Sequence, residues 1–569
     1  MEGELKKAIQ AALNELGTQH RIDAYAISFV VEATDLEHGD YATNVALVGA
    51  KPFGTNPQYL AGDLLPRIKS KLDGIASNVE IAGPGFINIT LAPTKIREML
   101  SFAQGSGWGM GTENADKRIV VEYSCPNPFK EMHIGHLMST IIGESISRLI
   151  GATGATVIRD SYGGDIGPHV AKAIWELQRK GVTQPSTAQE IGDAYAHGSR
   201  AYEESEDAKK EIDVLNTRLY EVAAKQETPN ELSSEDRELL NLWRLGREVA
   251  LESFREIYRV LETHFDYFLF ESETTPVGMR VVQDELARGV FEESEGAIIY
   301  KGEKKGLHTL VFITSRGTPT YEAKDVGLAF LKEEKIPNNA SYILTGAEQV
   351  GHFKVFLGAL EDIAPLVAAK TKHISHGLLQ LPTGKMSSRK GNVITATDVL
   401  TEMIAKASER NEDPIVAEQV AIGALKYLIL RASPGTNIIF DIEKSLSLEG
   451  DSGPYLQYAV VRAKSILAQA GEKIGTLDAA MADAPEGLFE IERYLMRFPE
   501  VVARAAKDQS PNQLVQYLTQ LASEWNAFYA NERILGGEHE TYKLFLAQAF
   551  VQTMTNGLSF LGIASPERM

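Results

Sequence analysis

Residues 121–143 read "VEYSCPNPFKEMHIGHLMSTIIG". Just upstream, "RIVVEYS" has the apolar, β-branched composition of a short buried strand, and from 134 to 150 apolar positions recur at helical spacing. His133 and His136 stand three apart around Gly135, so on a helix they share one face at its mouth. A helix N-terminus offers backbone N–H groups to an anion. Gly135 lets a flat or phosphorylated ligand approach the backbone closely, and imidazole donors there would stabilise a phosphate that gains charge in a transition state. On structural grounds alone, paired histidines at such a place are surface or capping residues. A second strand, "GATVIRDSYGG", follows the helix, which makes the stretch the opening β-α-β unit of a doubly wound sheet.

The chain has 569 residues, 44% apolar and 24% charged, enough for several domains that each bury a core. No apolar run approaches the roughly 18 residues of a membrane span, and "MEGELKKAIQAALNEL" reads as a mixed-charge amphipathic helix, so no membrane partner and a cytoplasmic location are expected. The single cysteine, Cys125, excludes an intrachain disulfide and any Cys-rich zinc site, and no structural zinc is expected. A net charge of −20 argues at first against a nucleic-acid partner. Local distribution matters more: between 370 and 397 there is no Asp or Glu, while Lys370, Lys372, Lys385, Arg389 and Lys390 fall inside.

Three domains are expected. Residues 1–112 read as a small α+β domain, and the Gly-rich, aperiodic "GSGWGMGTENAD" marks a boundary near 105–116. Residues 117–395 read as an α/β, Rossmann-like domain interrupted by a mostly helical insertion at about 184–300. The strands "AIIYK", "LHTLVFIT" and "SYILTG" suggest that the parallel sheet resumes afterwards. From 396 to 569 strand signals nearly vanish. Helices at roughly 414–431, 453–470, 487–507, 511–533 and 540–561 predict an α-helical bundle.

The second stretch that carries chemistry is "LPTGKMSSRKGNVI", 381–394, where Lys385 could meet a triphosphate and Ser387 and Ser388 could donate to its oxygens. Standing alone it would read as a solvated basic loop. Together the two stretches resemble the "HIGH" and "KMSKS" signatures of class I aminoacyl-tRNA synthetases, in the right order. The first is matched letter for letter at 133–136; in the second, Ser388 stands where the usual second lysine would be. The resemblance implies ATP, as its Mg²⁺ complex, bound by His133, Gly135, His136, Lys385, Met386, Ser387 and Ser388, with His133, His136 and Lys385 catalytic.

Recognition of a guanidinium needs carboxylates, because its fork of N–H donors is always charged. Glu122 ends the strand "RIVVEYS", and Asp325, in "YEAKD", lies four residues after Tyr321 on the same helical face. Here the resemblance narrows to the arginyl-tRNA synthetases. "VEYSCPNPFKEMHIGHLMSTIIG" is similar to that family's first signature and implies Glu122, Ser124 and Asn127 as arginine contacts, with Cys125 a small packed side chain. "PTYEAKDVGLA" implies Tyr321 and Asp325, and "TGAEQVGHF" implies Gln349. "HGDYATNVAL" and "GPGFINITL" resemble the N-terminal tRNA-contacting domain, implying Phe86 and Asn88. "GPYLQYAVVRAKSIL" and the closing "SPERM" resemble the helical anticodon-binding module, implying tRNA contacts from Tyr455, Gln457, Tyr458, Arg462 and Met569.

The resemblance implies ATP-dependent activation of L-arginine to arginyl-adenylate and transfer to tRNA(Arg), by a monomer. Other readings are another class I synthetase, a small nucleotidyltransferase-type ligase, or a catalytically silent RNA-binding paralogue. The absence of cysteine zinc ligands, the lack of room for a large editing domain and the terminal helices speak against the first two. Intact His133, His136 and Lys385 speak against the third.

Overall fold

Side chains alternate across a strand, and residues 119–123 are sorted accordingly onto two buried faces. Ile119, Val121 and Tyr123 pack with Ile146, Ile150 and Leu344, whereas Val120 packs with Ile158, Leu269, Leu328, Leu331 and Ile336. Burial on both faces is the condition of a parallel sheet. The computed structural model describes residues 1–380 and 395–569. It places Arg118–Glu122 at the centre of five strands, in the order Thr371–His376, Ala340–Gly346, Arg118–Glu122, Thr156–Gly163, Tyr267–Phe270. All neighbouring pairs are parallel, and Glu122 sits opposite Ile343 on one side and Asp160 on the other.

The helix Ile134–Ala152 links the first two of these strands in sequence. Gly143 lets it lie directly on the strand's end, since a Cβ there would come within 2.2 Å of the Tyr123 ring. One turn apart on this helix, Glu144 and Arg148 enter a buried network. The Glu144 carboxylate accepts from Tyr123 Oη at 2.7 Å, Thr263 Oγ1 at 2.8 Å, Arg148 Nε at 2.7 Å and Arg159 Nε at 2.9 Å. Burial raises its pKa, but Arg159, Arg148 and Tyr123 outweigh burial and hold it down at about 2.

Two strands depart from the sequence expectation. Ala297–Tyr300 and Leu310–Ile313 pair antiparallel and, with Glu292–Ser294, form a sheet of their own. Their connection is too short for anything else, because a parallel crossover needs a dozen or more residues. The parallel sheet instead gains Tyr267–Phe270 as an edge, from within the span expected to be insertion, and resumes at Ala340–Gly346.

The helices Pro168–Arg179, Ala188–Glu204, Glu206–Ala224 and Ser234–Val260 build a separate apolar cluster around Val170, Ile174, Ile212, Leu219 and Trp243. Phe129, from the loop before His133, is part of that cluster. Gly246 makes room for it: a Cβ there would stand 2.5 Å from the Phe129 ring.

The chain divides into two compact units, one of residues 111–457, 505–515 and 558–569, the other of residues 1–110, 458–504 and 516–557. The second contains an antiparallel sheet ordered Val31–Ala33, Tyr41–Thr43, Phe86–Leu91, Ala76–Ala82. Its last two strands are joined by a tight turn in which Gly83 and Gly85 have φ of 51° and 131°. Within this unit the sheet is tied to later helices: Arg493 Nε lies 3.1 Å from the buried Asp40, and Tyr41 Oη donates to Glu500 at 2.8 Å. The helix expected over 487–507 is two, Glu490–Leu495 and Phe498–Asp508. Among the described residues no helix is long and apolar enough to cross a membrane.

The helices Glu271–Ala287 and Tyr321–Lys335 touch backbone to backbone at Gly278 and Gly327. A Cβ on Gly278 would meet the Ala323 carbonyl oxygen at 1.9 Å, and one on Gly327 the Thr274 carbonyl oxygen at 2.1 Å. Gly278→Ala is therefore expected to push the helices apart and to lower the thermal melting temperature by several degrees, at a cost of about 1–3 kcal/mol or more. An unchanged melting curve would show that the contact is not a tight one.

Candidate active site

The loop between the central strand and the histidine helix is held in a sparsely populated backbone conformation. Ser124, Cys125 and Phe129 have φ of 70°, 52° and 67°, a region that costs non-glycine residues of order 1–3 kcal/mol each and persists only where surroundings enforce it. The surroundings do so. Ser124 N donates to Ser139 Oγ at 3.1 Å, and its hydroxyl lies 2.9 Å from Tyr258 Oη and 2.8 Å from Thr140 Oγ1. Asn127 Oδ1 accepts from Gly164 N at 2.9 Å, which ties the loop to the end of the second strand. Cys125 Sγ accepts from Tyr162 N at 3.4 Å, and burial pushes its thiol well above the usual range, so it is a packed side chain.

His133 caps the helix with its Nδ1, which accepts from Gly135 N at 3.0 Å, and His136 Nδ1 accepts in return from His133 N at 3.3 Å. The rings stack with centroids 3.7 Å apart. Gly135 permits this, since a Cβ would stand 2.9 Å from the His133 ring. An Nδ1 that accepts carries no proton, so each neutral ring holds its proton on Nε2 and is a single fixed donor. Both pKa values are lowered. For His133 desolvation acts first and Lys130 second; for His136 desolvation and then His133 bring it to about 3. The segment that follows residue 394 returns to this point: Ala396 N donates to Met132 O at 2.7 Å, and His133 pairs with Thr395 in an isolated bridge. Lys385, Met386, Ser387 and Ser388 lie outside the described residues.

Glu122 and Asp325 border one cavity of about 20 Å³, together with Lys332, Ser341, Phe353 and Phe356. Glu122 faces the Tyr321–Lys335 helix, where its carboxylate accepts from Lys332 Nζ. The same ammonium lies 3.2 Å from Asp160. Asp325 Oδ2 accepts from His352 Nε2 at 2.6 Å, and Glu322 Oε1 lies 3.2 Å from His352 Nδ1. A ring with a carboxylate on each nitrogen is an imidazolium. Burial lowers its pKa, but the bonds to Asp325 and Glu322 outweigh burial and carry it up to about 9. His352 follows Gln349 by three residues on the Val350–Ile363 helix, so it joins the two elements that supply Asp325 and Gln349. Tyr321 and Gln349 are exposed at the starts of those helices.

The residues expected to meet RNA divide. Phe86 is 40% exposed and Asn88 is buried, on one strand. Tyr458 is 39% exposed, and the Arg462 guanidinium lies 5.8 Å from its ring centroid and 5.1 Å from that of Tyr529. Tyr455 and the terminal Met569 are half-buried. Gln457 corrects the expectation: it is fully buried, and its Nε2 donates to Gln419 O at 3.1 Å and Ala564 O at 2.9 Å, which leaves it facing protein.

Four residues escaped the sequence reading. Asp160 and Asp165 are charges in or just after a buried strand; Asp165 accepts from Arg247 at 2.8 Å and from Ser272 Oγ at 2.8 Å. Lys332 is a cation on the apolar stripe of a helix. His352 stands in the "TGAEQVGHF" stretch already quoted. For Lys332 the available signal was its helical spacing, four residues after Leu328 on the buried face; Asp160, between Arg159 and Ser161, carried none.

Residues 101–442 match the family description "tRNA synthetases class I (R), catalytic domain", 456–569 "DALR anticodon binding domain" and 3–91 "Arginyl tRNA synthetase N terminal domain". The chain belongs to the arginyl-tRNA synthetase family. It is 30% identical over 541 residues to the arginine–tRNA ligase of Porphyromonas gingivalis, covering 87% of this chain and 88% of that one. It is also 30% identical over 550 residues to that of Treponema denticola, covering 91% of each. The structure of Thermus thermophilus arginyl-tRNA synthetase superposes over the full length of both chains with a TM-score of 0.79 at 26% identity. The family's fold, a class I catalytic domain with N-terminal and helical C-terminal additions, is the fold of this chain. Among the described residues no group of three or more His, Cys, Asp or Glu is arranged to hold a metal ion.

Neutral, Nε2-protonated histidines are a checkable feature of this family member. In an NMR titration His136 should stay neutral well below the ordinary midpoint of about 6.5. A midpoint at or above that value would contradict the capping geometry and the burial that depresses it.

Proposed function

We infer that this chain activates L-arginine with ATP, giving arginyl-adenylate and pyrophosphate, and transfers the arginyl group to tRNA(Arg). The observation that carries the reading is the match of catalytic, N-terminal and anticodon-binding segments of one family along nearly the whole chain. ATP enters as its Mg²⁺ complex. The arginine carboxylate attacks the α-phosphorus in line, the bond to the bridging oxygen of pyrophosphate breaks, and a terminal ribose hydroxyl of tRNA later displaces AMP from the acyl carbon. No protein nucleophile is required.

The residue roles are our proposals. His133 and His136 donate from Nε2 to oxygens around the α-phosphate, where donors fixed before the reaction need no reorganisation. Gly135 admits the nucleotide to the helix mouth. Lys385 neutralises the departing pyrophosphate, and Met386, Ser387 and Ser388 complete the nucleotide contacts. Glu122 and Asp325 receive the guanidinium, and Ser124, Asn127, Tyr321 and Gln349 are the further contacts of the bound arginine. Supporting this are the shared cavity of Glu122 and Asp325 and the return of the chain at Thr395 beside His133. Phe86, Asn88, Tyr455, Tyr458, Arg462 and Met569 contact tRNA. Tyr529 joins Tyr458 and Arg462 as a stacking surface of the kind single-stranded RNA uses. We further propose a cytoplasmic monomer without structural zinc.

ATP–pyrophosphate exchange across the standard amino acids, with and without total tRNA, tests the function. Exchange is expected with arginine alone; exchange with another amino acid, or with none, would overturn the reading. His136→Ala should lower turnover on the order of 10²-fold, the typical loss for one transition-state donor. Normal turnover in that variant would refute the role given to the ring. Tyr529→Ala should weaken tRNA binding and leave the arginine KM unchanged. An unchanged tRNA affinity would remove Tyr529 from the RNA surface.

A further inference from the structure

We propose that Lys332 is a positioning residue for arginine recognition: its ammonium, shared between Glu122 and Asp160 beneath the sheet's central strands, keeps the Glu122 carboxylate ionised and aimed at the guanidinium. The proposal rests on the reading of Glu122 as an arginine contact.

Glu122 and Asp160 are directly opposed on adjacent parallel strands. Both are buried, at 3% and 0% exposure. Two like charges so placed repel, and neither can reach water to relieve it. Lys332 answers both from the helix that covers this face, with Nζ bonded to Glu122 and 3.2 Å from Asp160. It lies seven residues beyond Asp325, on the stripe that also carries Leu328. With all three groups ionised the cluster keeps one uncompensated negative charge, and Asp325, which lines the same cavity, shares the single His352 imidazolium with Glu322, so that group also keeps one negative charge in excess. A cationic side chain is the ligand that such an excess favours. The arrangement thus separates two tasks: Asp160 supplies charge that stays paired to Lys332, and Lys332 lets Glu122 remain a carboxylate in a place that would otherwise protonate it.

Burial pushes the Glu122 pKa up, Lys332 pulls it back and Asp160 raises it again, to about 7. The charged and titratable groups around it are Lys332, Asp325 and Glu333 on the covering helix, Asp160 and Tyr162 on the next strand, and Cys125 beyond its own strand. The Val350–Ile363 helix brings Phe353 and Phe356 to the cavity, with His352 on Asp325. Because an ionised Glu122 is the form that binds, kcat/KM for arginine should fall as pH drops through the neutral region. Removing Lys332 should move that fall to higher pH, and removing the Asp160 charge should move it lower.

The test is exchange kinetics in the presence of tRNA(Arg), over a range of pH, with K332M, K332R, D160N and E122Q in the full-length chain. K332M should raise the arginine KM on the order of tenfold near neutral pH, with the ATP KM nearly unchanged and the deficit shrinking as pH rises. K332R should recover much of the loss. An arginine KM unchanged in K332M, or equal rises for arginine and ATP at every pH, would overturn the proposal. Should K332M fail to fold, the near-isosteric D160N decides: an acid limb that moves down supports the proposal, and one that stays or moves up refutes it. E122Q separates the two levels. If E122Q leaves the arginine KM unchanged, the pocket reading itself fails; if E122Q is impaired and K332M is not, only the role of Lys332 fails.

Discussion

His133 Nδ1 accepts the Gly135 N–H, and His136 Nδ1 accepts the His133 N–H. These two bonds fix where the helix begins, and so where the loop before it must end. They also fix the proton of each ring on Nε2, because a nitrogen that accepts cannot carry one. One capping arrangement therefore sets a backbone and a chemistry together. It further explains the left-handed residues upstream. Ten residues separate the end of the central strand from the cap, and the chain turns through Ser124, Cys125 and Phe129 to reach it. That conformation is held from outside the loop, by Phe129 in the insertion's apolar cluster, Asn127 on Gly164 and Ser124 among Ser139, Thr140 and Tyr258. The helical insertion has a structural duty on this account: it supplies the core into which the loop's anchor is driven.

Buried carboxylates in the catalytic unit are treated in two ways. Glu144 is saturated, with two guanidinium groups and two hydroxyls on one carboxylate, and its charge is secure at any ordinary pH. Glu122 and Asp160 share a single ammonium. Removing one partner from a buried pair typically costs 3–5 kcal/mol, so a structure that leaves a carboxylate under-compensated gives up stability unless something else completes the site. Glu144 belongs to the scaffold by this criterion, whereas Glu122 is left short of counter-charge, as the role proposed for it requires.

The strand, the histidine helix and the next strand were legible because their periodicities differ and the turn between them carries glycine and proline. That Glu122 ends the central strand and Asp325 lies one turn after Tyr321 was legible because position along an element is a property of sequence. Which sheet a strand joins was not: "AIIYK" and "LHTLVFIT" look alike in either setting, and the short connection between them was the overlooked signal. Nor could the spacing of Tyr455, Gln457 and Tyr458 say which side of their helix faces solvent. Gln457 turns inward because Gly423 leaves space beside it and two carbonyls await its amide. Polar residues that look ready to read a base are equally ready to satisfy a buried backbone.

The cations missed in the sequence share a cause with those that were found. A lysine in a basic loop such as Lys385 announces itself by its neighbours, whereas Lys332, in "LKEEK", and His352 look like ordinary helix residues and gain meaning only from carboxylates distant in sequence. Glu122 and Lys332 are 210 residues apart, and His352 meets Asp325 across two helices. In the roles proposed for them, the histidines and the loop lysine would meet a phosphate, which is everywhere the same and can be served by a contiguous motif. A guanidinium pocket has to be deep and anionic, and anions buried deeply need counter-charges brought from elsewhere in the fold. On the proposed roles, nucleotide chemistry is for that reason written locally in this chain, while amino-acid specificity is distributed over strands and helices that only the folded sheet assembles.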